Sequence, residues 1–231
     1  KLPFHEPLYT CMVARPVGKK EIEAKTEEGA KIRAAIDKEW TKLRNVGYKK
    51  ESTGKPIGCW DESAVVSKAK LLEQARRQER TIHWGRIFTI TVEKGSELPK
   101  NDPNRKYKGR VVFQGNNVKD QNYDAALFAE LGSSPATMDA GKSADALGCI
   151  DGNSVQIADA EQAYTQAKLG GDIPTYVEIP RQNWPKAWEK LSYTDPVCPL
   201  IYALYGHPDS GGYWEKHCDE HLKSQGFKPV G

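Results

Sequence analysis

Hydrophobic and polar positions change their period several times along this chain, and each change marks an element. Over residues 20–46, Ile32, Ile36, Trp40 and Leu43 recur at three- and four-residue intervals among charges. That spacing predicts a helix, ended by Gly47 and the loop ESTGKPIG. A second helical pattern covers 63–80, with Val65, Ala69 and Leu72 on one side and Ser63 as its N-cap. The period then drops to two. In RIFTITVEK, residues 86–94, Phe88, Ile90 and Val92 fall on one side of a strand. The turn-rich GSELPKNDPN leads to a second strand over 106–115, so the two make a long-looped hairpin. Alternation puts Lys106, Lys108 and Arg110 on one face and Tyr107, Val111 and Phe113 on the other. Three cations side by side call for an anion or open solvent.

Residues 125–148 predict helix with a break at Gly132–Pro135, where Ser134-Pro135 can open a new helix. Val155, Ile157 and Ala158 then predict a strand that carries Asp159 at its end and runs into a helix over 161–169. TYVEIP, 175–180, reads as a further strand, and PLIYALYG as a third apolar segment. The last helix has Trp214, Cys218 and Leu222 on one face and Gly226 as its C-cap. The class is α+β.

Composition narrows the field. The 231 residues suffice for one large domain or two small ones with a real core. No apolar run is long enough to span a membrane, and KLPFHEPLYT has no signal-peptide core. The first residue is Lys and the sequence stops abruptly at Gly231, so we expect a piece of a longer polypeptide. Five cysteines, odd in number and without CxxC spacing, predict reduced thiols in an intracellular compartment. His217, Cys218 and His221 share a helical turn but lack a second half-site, so they read as a polar helix face rather than a zinc site.

Charge is unevenly spread. Residues 66–110 hold 12 cationic and 5 acidic side chains, whereas 111–180 hold 3 and 10. A basic segment beside an acidic one suits a protein that grips phosphates with one part and metal ions with the other. Two solvated surfaces of opposite sign would read the same way. Asp159 sharpens the question, because an acid closing a buried strand is costly unless something positive meets it. A divalent metal is the usual answer where the substrate carries phosphates. The plainer alternative is an N-cap for AEQAYTQAKL.

The helix AIDKEWTKLRNVGY, the strand YKGRVVFQG, the stretch SSPATMDAG, the block QIADAEQAYTQAKL, the strand YVEIP, and VCPLIYALYG with its following helix occur in one order. In that order they resemble the reverse transcriptase of copia-type LTR retrotransposons, over roughly 30–228, with 61–82 as an insertion or divergent stretch. The resemblance implies a right-hand polymerase: an N-terminal linker over 1–29, a fingers-like region with the basic hairpin over 30–124, and a partial palm over 125–231. It implies that Asp159 and the carbonyl of Ala160 bind Mg²⁺, two ions serving the intact enzyme. It implies that Tyr164 lies under the sugar and rejects a 2′-hydroxyl. Lys108 and Arg110 would hold the incoming triphosphate, as a point charge and a bidentate fork. Read without the resemblance, Tyr164 is equally a core residue, and Lys108 and Arg110 solvated cations. Implied partners are an RNA/DNA primer–template and dNTPs, with no membrane, alongside integrase and RNase H modules of the polyprotein.

Three departures qualify the likeness. The family's further metal ligands lie in an Asp-Asp box, and this chain contains no Asp-Asp dipeptide. The expectation is a fold truncated before that hairpin and inert alone as a polymerase. Where the family has Gln after the ALYG block, this chain reads HPDSGG with Asp209 near that position. The usual Asn-Ala-Phe is Gln162-Ala163-Tyr164. The competing expectation is a decayed or repurposed retroelement piece that binds nucleic acid without catalysis. A third, independent of the resemblance, is an intracellular α+β binding module.

Overall fold

The computed structural model describes residues 13–47, 54, 56–128 and 136–228. Twelve-residue strand β3 (His83–Lys94) organises them, because four other elements of one mixed sheet meet it directly or through a neighbour. Its first half pairs in parallel with β5 (Thr175–Glu178), which pairs with β6 (Pro196–Pro199), and β6 in turn pairs with the short β2 (Val66–Ser67). Its second half pairs with β1 (Ala14–Pro16). Along its opposite edge runs β4 (Lys106–Phe113), antiparallel in eight registered pairs. With the helices packed on it, this is an α+β fold.

Helix α2 (Glu27–Arg44) covers one face of the sheet. Thr26 caps it by accepting the N–H of Gly29 at 3.1 Å, and a short α1 (Lys19–Glu23) precedes it, so the long helix expected over 20–46 is two. Ile32, Trp40 and Leu43 are buried and Ile36 half-buried, as their spacing predicts. Gly109 allows the helix backbone close to β4, since a Cβ there would stand 3.1 Å from Ile36 Cα. Trp40 Nε1–H donates to Thr89 Oγ1 at 3.0 Å, tying the helix to β3. Beneath lies the main core, including Trp60, Ile87, Val111, Phe113, Val177 and Leu204.

The 63–80 helix is shorter than predicted. Asp61 caps a 3-10 turn at Glu62–Ala64, and α3 (Lys68–Arg77) begins only after β2. Pairing of Val66 with Val197 uses the backbone that a longer helix would need. Leu72 and Ala75, rather than Ala69, form the buried side and pack with Ile82 and Trp84 on the second face of the sheet. Lys68 completes that contact, with Nζ 4.5 Å from the Trp84 ring centroid and paired to Glu178 and Asp195.

The region around Asp159 departs most from expectation. Helix α4 runs only over Met138–Gly148, residues 125–128 are not helical, and Ser134-Pro135 lies outside the described residues. Residues 153–160 form no strand and are exposed; Val155 and Ile157 are 48% and 93% accessible. A strand needs neighbours for its backbone groups, and this segment pairs with no strand of the sheet. The helix expected over 161–169 shrinks to α5 (Ala163–Gln166): Gln162 before it sits at φ 55°, and after it Lys168 bridges Tyr202. The final helix α6 (Ser210–Ser224) closes as predicted at Gly226. Gly226 N–H donates to Lys223 O and Phe227 N–H to Leu222 O, a Schellman closure with Gly226 at φ 88°.

Candidate nucleic-acid interface

Register gives the hairpin an unusual outer face. Val92 pairs with Lys108, Ile90 with Arg110 and Phe88 with Val112, so these side chains share one side. The sequence places apolar residues on one side of β3, and that side is the open one: Phe88 and Ile90 are 40% and 45% accessible. The buried side carries Ile87, Thr91 and Glu93 instead. Open apolar surface flanked by Arg86, Lys106, Lys108 and Arg110 presents flat contact area and positive charge together. Burial first, then repulsion from Arg110 and Lys94, holds the Lys108 amine below the ordinary lysine range. An anion placed there would relieve that repulsion.

Distant parts of the chain meet at the end of this face. Phe113 N–H donates to Tyr205 O at 2.7 Å, which splices the ALYG segment onto the end of β4. Gly206, at φ 87°, makes the splice possible, for a Cβ there would lie 2.2 Å from Phe113 O. Tyr205 is thereby held with its ring 5.2 Å from Arg110 Cζ on one side and 4.7 Å from the Tyr164 ring on the other. Arg110 and Tyr164, picked out separately in the sequence, are thus joined through Tyr205. Lys108 lies two residues along the same face of β4.

Asp159 and Ala160 lie in exposed chain just before α5. The adjacent Glu161 is paired with Lys42 Nζ at 3.0 Å. Among the described residues no three His, Cys, Asp or Glu side chains gather into a metal-holding group. One carboxylate and one carbonyl fall short of the oxygen ligands that a Mg²⁺ pair shares. Two ions would need further oxygen donors than these two residues supply.

Two further residues escaped the sequence reading. Ser210 is buried at the start of α6, where its Oγ accepts the Leu204 N–H at 3.0 Å and donates to Leu204 O at 2.7 Å. His207 is buried between Phe113 and Phe128. Nothing in a local HPDSGG stretch signals either role: Ser210 bonds Leu204, which lies outside it, and His207 is enclosed by Phe113, Phe128 and Thr175, far away in sequence. Asp209, expected near the nucleotide, sits at the head of α6, where burial raises its carboxyl above the usual range. Among the described residues, Cys59, Cys149, Cys198 and Cys218 are free thiols, and no helix is long and apolar enough to cross a membrane. Compared with protein-family models, curated proteins and solved structures, the chain matches none.

Proposed function

We propose that this chain is the fingers and part of the palm of a copia-type reverse transcriptase, an RNA-directed DNA polymerase that works inside the cell on a primer–template duplex. The observation that carries the reading is the meeting of Arg110, Tyr205 and Tyr164 beside Lys108. A cation pair next to an aromatic shelf suits a nucleoside triphosphate, with phosphates on Lys108 and Arg110 and the sugar against Tyr164. Two-metal transfer would need carboxylates beyond Asp159, so these residues bind rather than catalyse. Mg²⁺ belongs to the intact polymerase, with integrase and RNase H as companion modules.

The open hairpin face favours a second reading, a nucleic-acid-binding protein without chemistry, since Phe88, Ile90 and the flanking cations would grip a strand unaided. Titrating labelled RNA–DNA primer–template across salt tests both. Binding should weaken steeply between 50 and 200 mM salt. Lys108→Gln and Arg110→Gln should each reduce the salt slope by about one and the affinity by roughly tenfold. A flat salt response would remove any nucleic-acid role. Addition of dNTP separates the readings: the polymerase binds tighter with the complementary dNTP than with a mismatched one, and a simple binder responds equally to both.

A further inference from the structure

The Tyr205–Gly206 corner rests on a polar network that nucleotide binding does not use. His207 lies with its ring 5.1 Å from that of Phe113 and 5.3 Å from that of Phe128. Its Nδ1 accepts the Asp209 N–H at 3.2 Å, and its Nε2 lies 3.4 Å from Thr175 Oγ1. A ring nitrogen that accepts carries no proton, so the imidazole is neutral and protonated on Nε2. The turn around it is closed by His207 N–H to Leu204 O and Ser210 N–H to His207 O, both 3.1 Å, besides the two Ser210 hydroxyl bonds. One residue before His207 is Gly206, packed on Phe113 O, and one before that is Tyr205.

We infer that His207 is a positioning residue: its neutral ring latches the Tyr205–Gly206 corner onto the end of β4, so holding Tyr205 between Arg110 and Tyr164, and proton uptake releases the latch. A second proton has only Nδ1 to occupy. There it would face the Asp209 N–H, donor against donor, with a full charge among aromatic rings. Each packed element contributes a neighbour. From β3 comes His83, whose own ring lies 4.7 Å from Phe128. From β5 comes Thr175, from β4 Phe113, from the 114–128 segment Phe128, and from the head of α6 Asp209. Burial, then His83, pushes the His207 imidazole down to about 4. His83 is lowered by burial, with Asp120 opposing. The latch stands on its own geometry; its consequence for a bound nucleotide rests on the polymerase reading above.

Amide hydrogen exchange tests it on the chain itself. The Phe113 N–H reports the corner, because it bonds Tyr205 O, and the next amide, Gln114 N–H to Arg86 O, reports the hairpin. Corrected for intrinsic exchange, Phe113 protection should fall between pH 7 and 4.5 by on the order of tenfold to a hundredfold. Gln114 should stay protected. His207→Gln, which can accept a hydrogen bond but takes no proton, should abolish the pH response at Phe113. Constant Phe113 protection, loss together with Gln114, or an unchanged pH response in His207→Gln would each overturn the latch. Should that variant fail to fold, imidazole NMR titration of the native chain decides, since a His207 ring that takes up its proton in the ordinary histidine range while Phe113 stays protected would overturn the latch. A corner that opens as described in a chain binding no primer–template at any pH keeps the latch and discards the polymerase reading.

Discussion

Glu93 illustrates how far a single residue can contradict its pattern. It stands on the buried side of β3, 4% accessible, where Arg105 Nε meets one oxygen at 2.8 Å and the Arg15 guanidinium meets the other at 3.0 Å. Arg105 first, then Arg15, hold its carboxyl below the usual range against the opposing effect of burial. Removing the acid leaves Arg105 without its carboxylate, while Arg15 keeps its pair with Glu21, so Glu93→Gln should cost about 2 kcal/mol in denaturant unfolding. Thr91, on the same side, has a buried hydroxyl that meets no partner among the described residues. Thr91→Val should therefore be neutral or stabilise by about 1 kcal/mol. Asp159→Asn, in exposed chain, should shift stability by less than about 0.5 kcal/mol. Of these three, the sequence marked only Asp159, and for a buried setting it does not have. A periodicity argument sees which residues share a side. Which side is buried depends on what packs there, and Arg15 is 78 positions from its partner.

Elements were more legible than residues where the signal is local. The hairpin, helix α2 and the Gly226 closure all follow from spacing and caps within a dozen residues. Failures came where a short-range pattern met a long-range partner. The 63–67 stretch is helical in pattern but part of it is recruited by β6, and 153–160 alternates like a strand but pairs with none. The splice between ALYG and β4 could not be read at all, although its Gly206 hints at close approach. Gly206→Ala would need the left-handed backbone and would press a methyl 2.2 Å from Phe113 O. We expect a loss of about 3 kcal/mol or more in the unfolding free energy, from strain and a displaced backbone together. The Tyr205 ring should leave Arg110 in the same variant, and primer–template binding should weaken with it.

For the whole molecule, the balance of buried acids and imidazoles sets an acid-sensitive stability. His207 and His83 are both held below the ordinary 6.5 by burial, so their contribution is complete above about pH 6.5 and is lost as pH falls, for His207 down to about 4. For His207 the loss is bounded at roughly 3 kcal/mol. Glu93 is likewise depressed, and its contribution is complete above about pH 4.3 and lost as pH falls through the lower folded value. The melting temperature should therefore decline in two stages on acidification, the first beginning near pH 6.5. His207→Gln should flatten that first stage and leave the second. A melting temperature constant from pH 7 to 5 would contradict the buried neutral histidines. The α+β class was legible at this scale, from the succession of periods; the strand order was not, because β3 takes partners from both ends of the chain.

That strand order also sets a timetable during synthesis. The parallel partner of β3 emerges roughly 90 residues after it, and β6 follows β2 by about 130. At ordinary elongation rates the second interval lasts on the order of ten seconds. Once β4 is made the hairpin can form, since β3 and β4 are close in sequence, while Trp84 still awaits Tyr176 from β5. The nascent protein thus leaves the ribosome with its cationic hairpin complete and its core open, and a waiting chaperone or nucleic-acid strand would meet the hairpin before the fold has closed behind it.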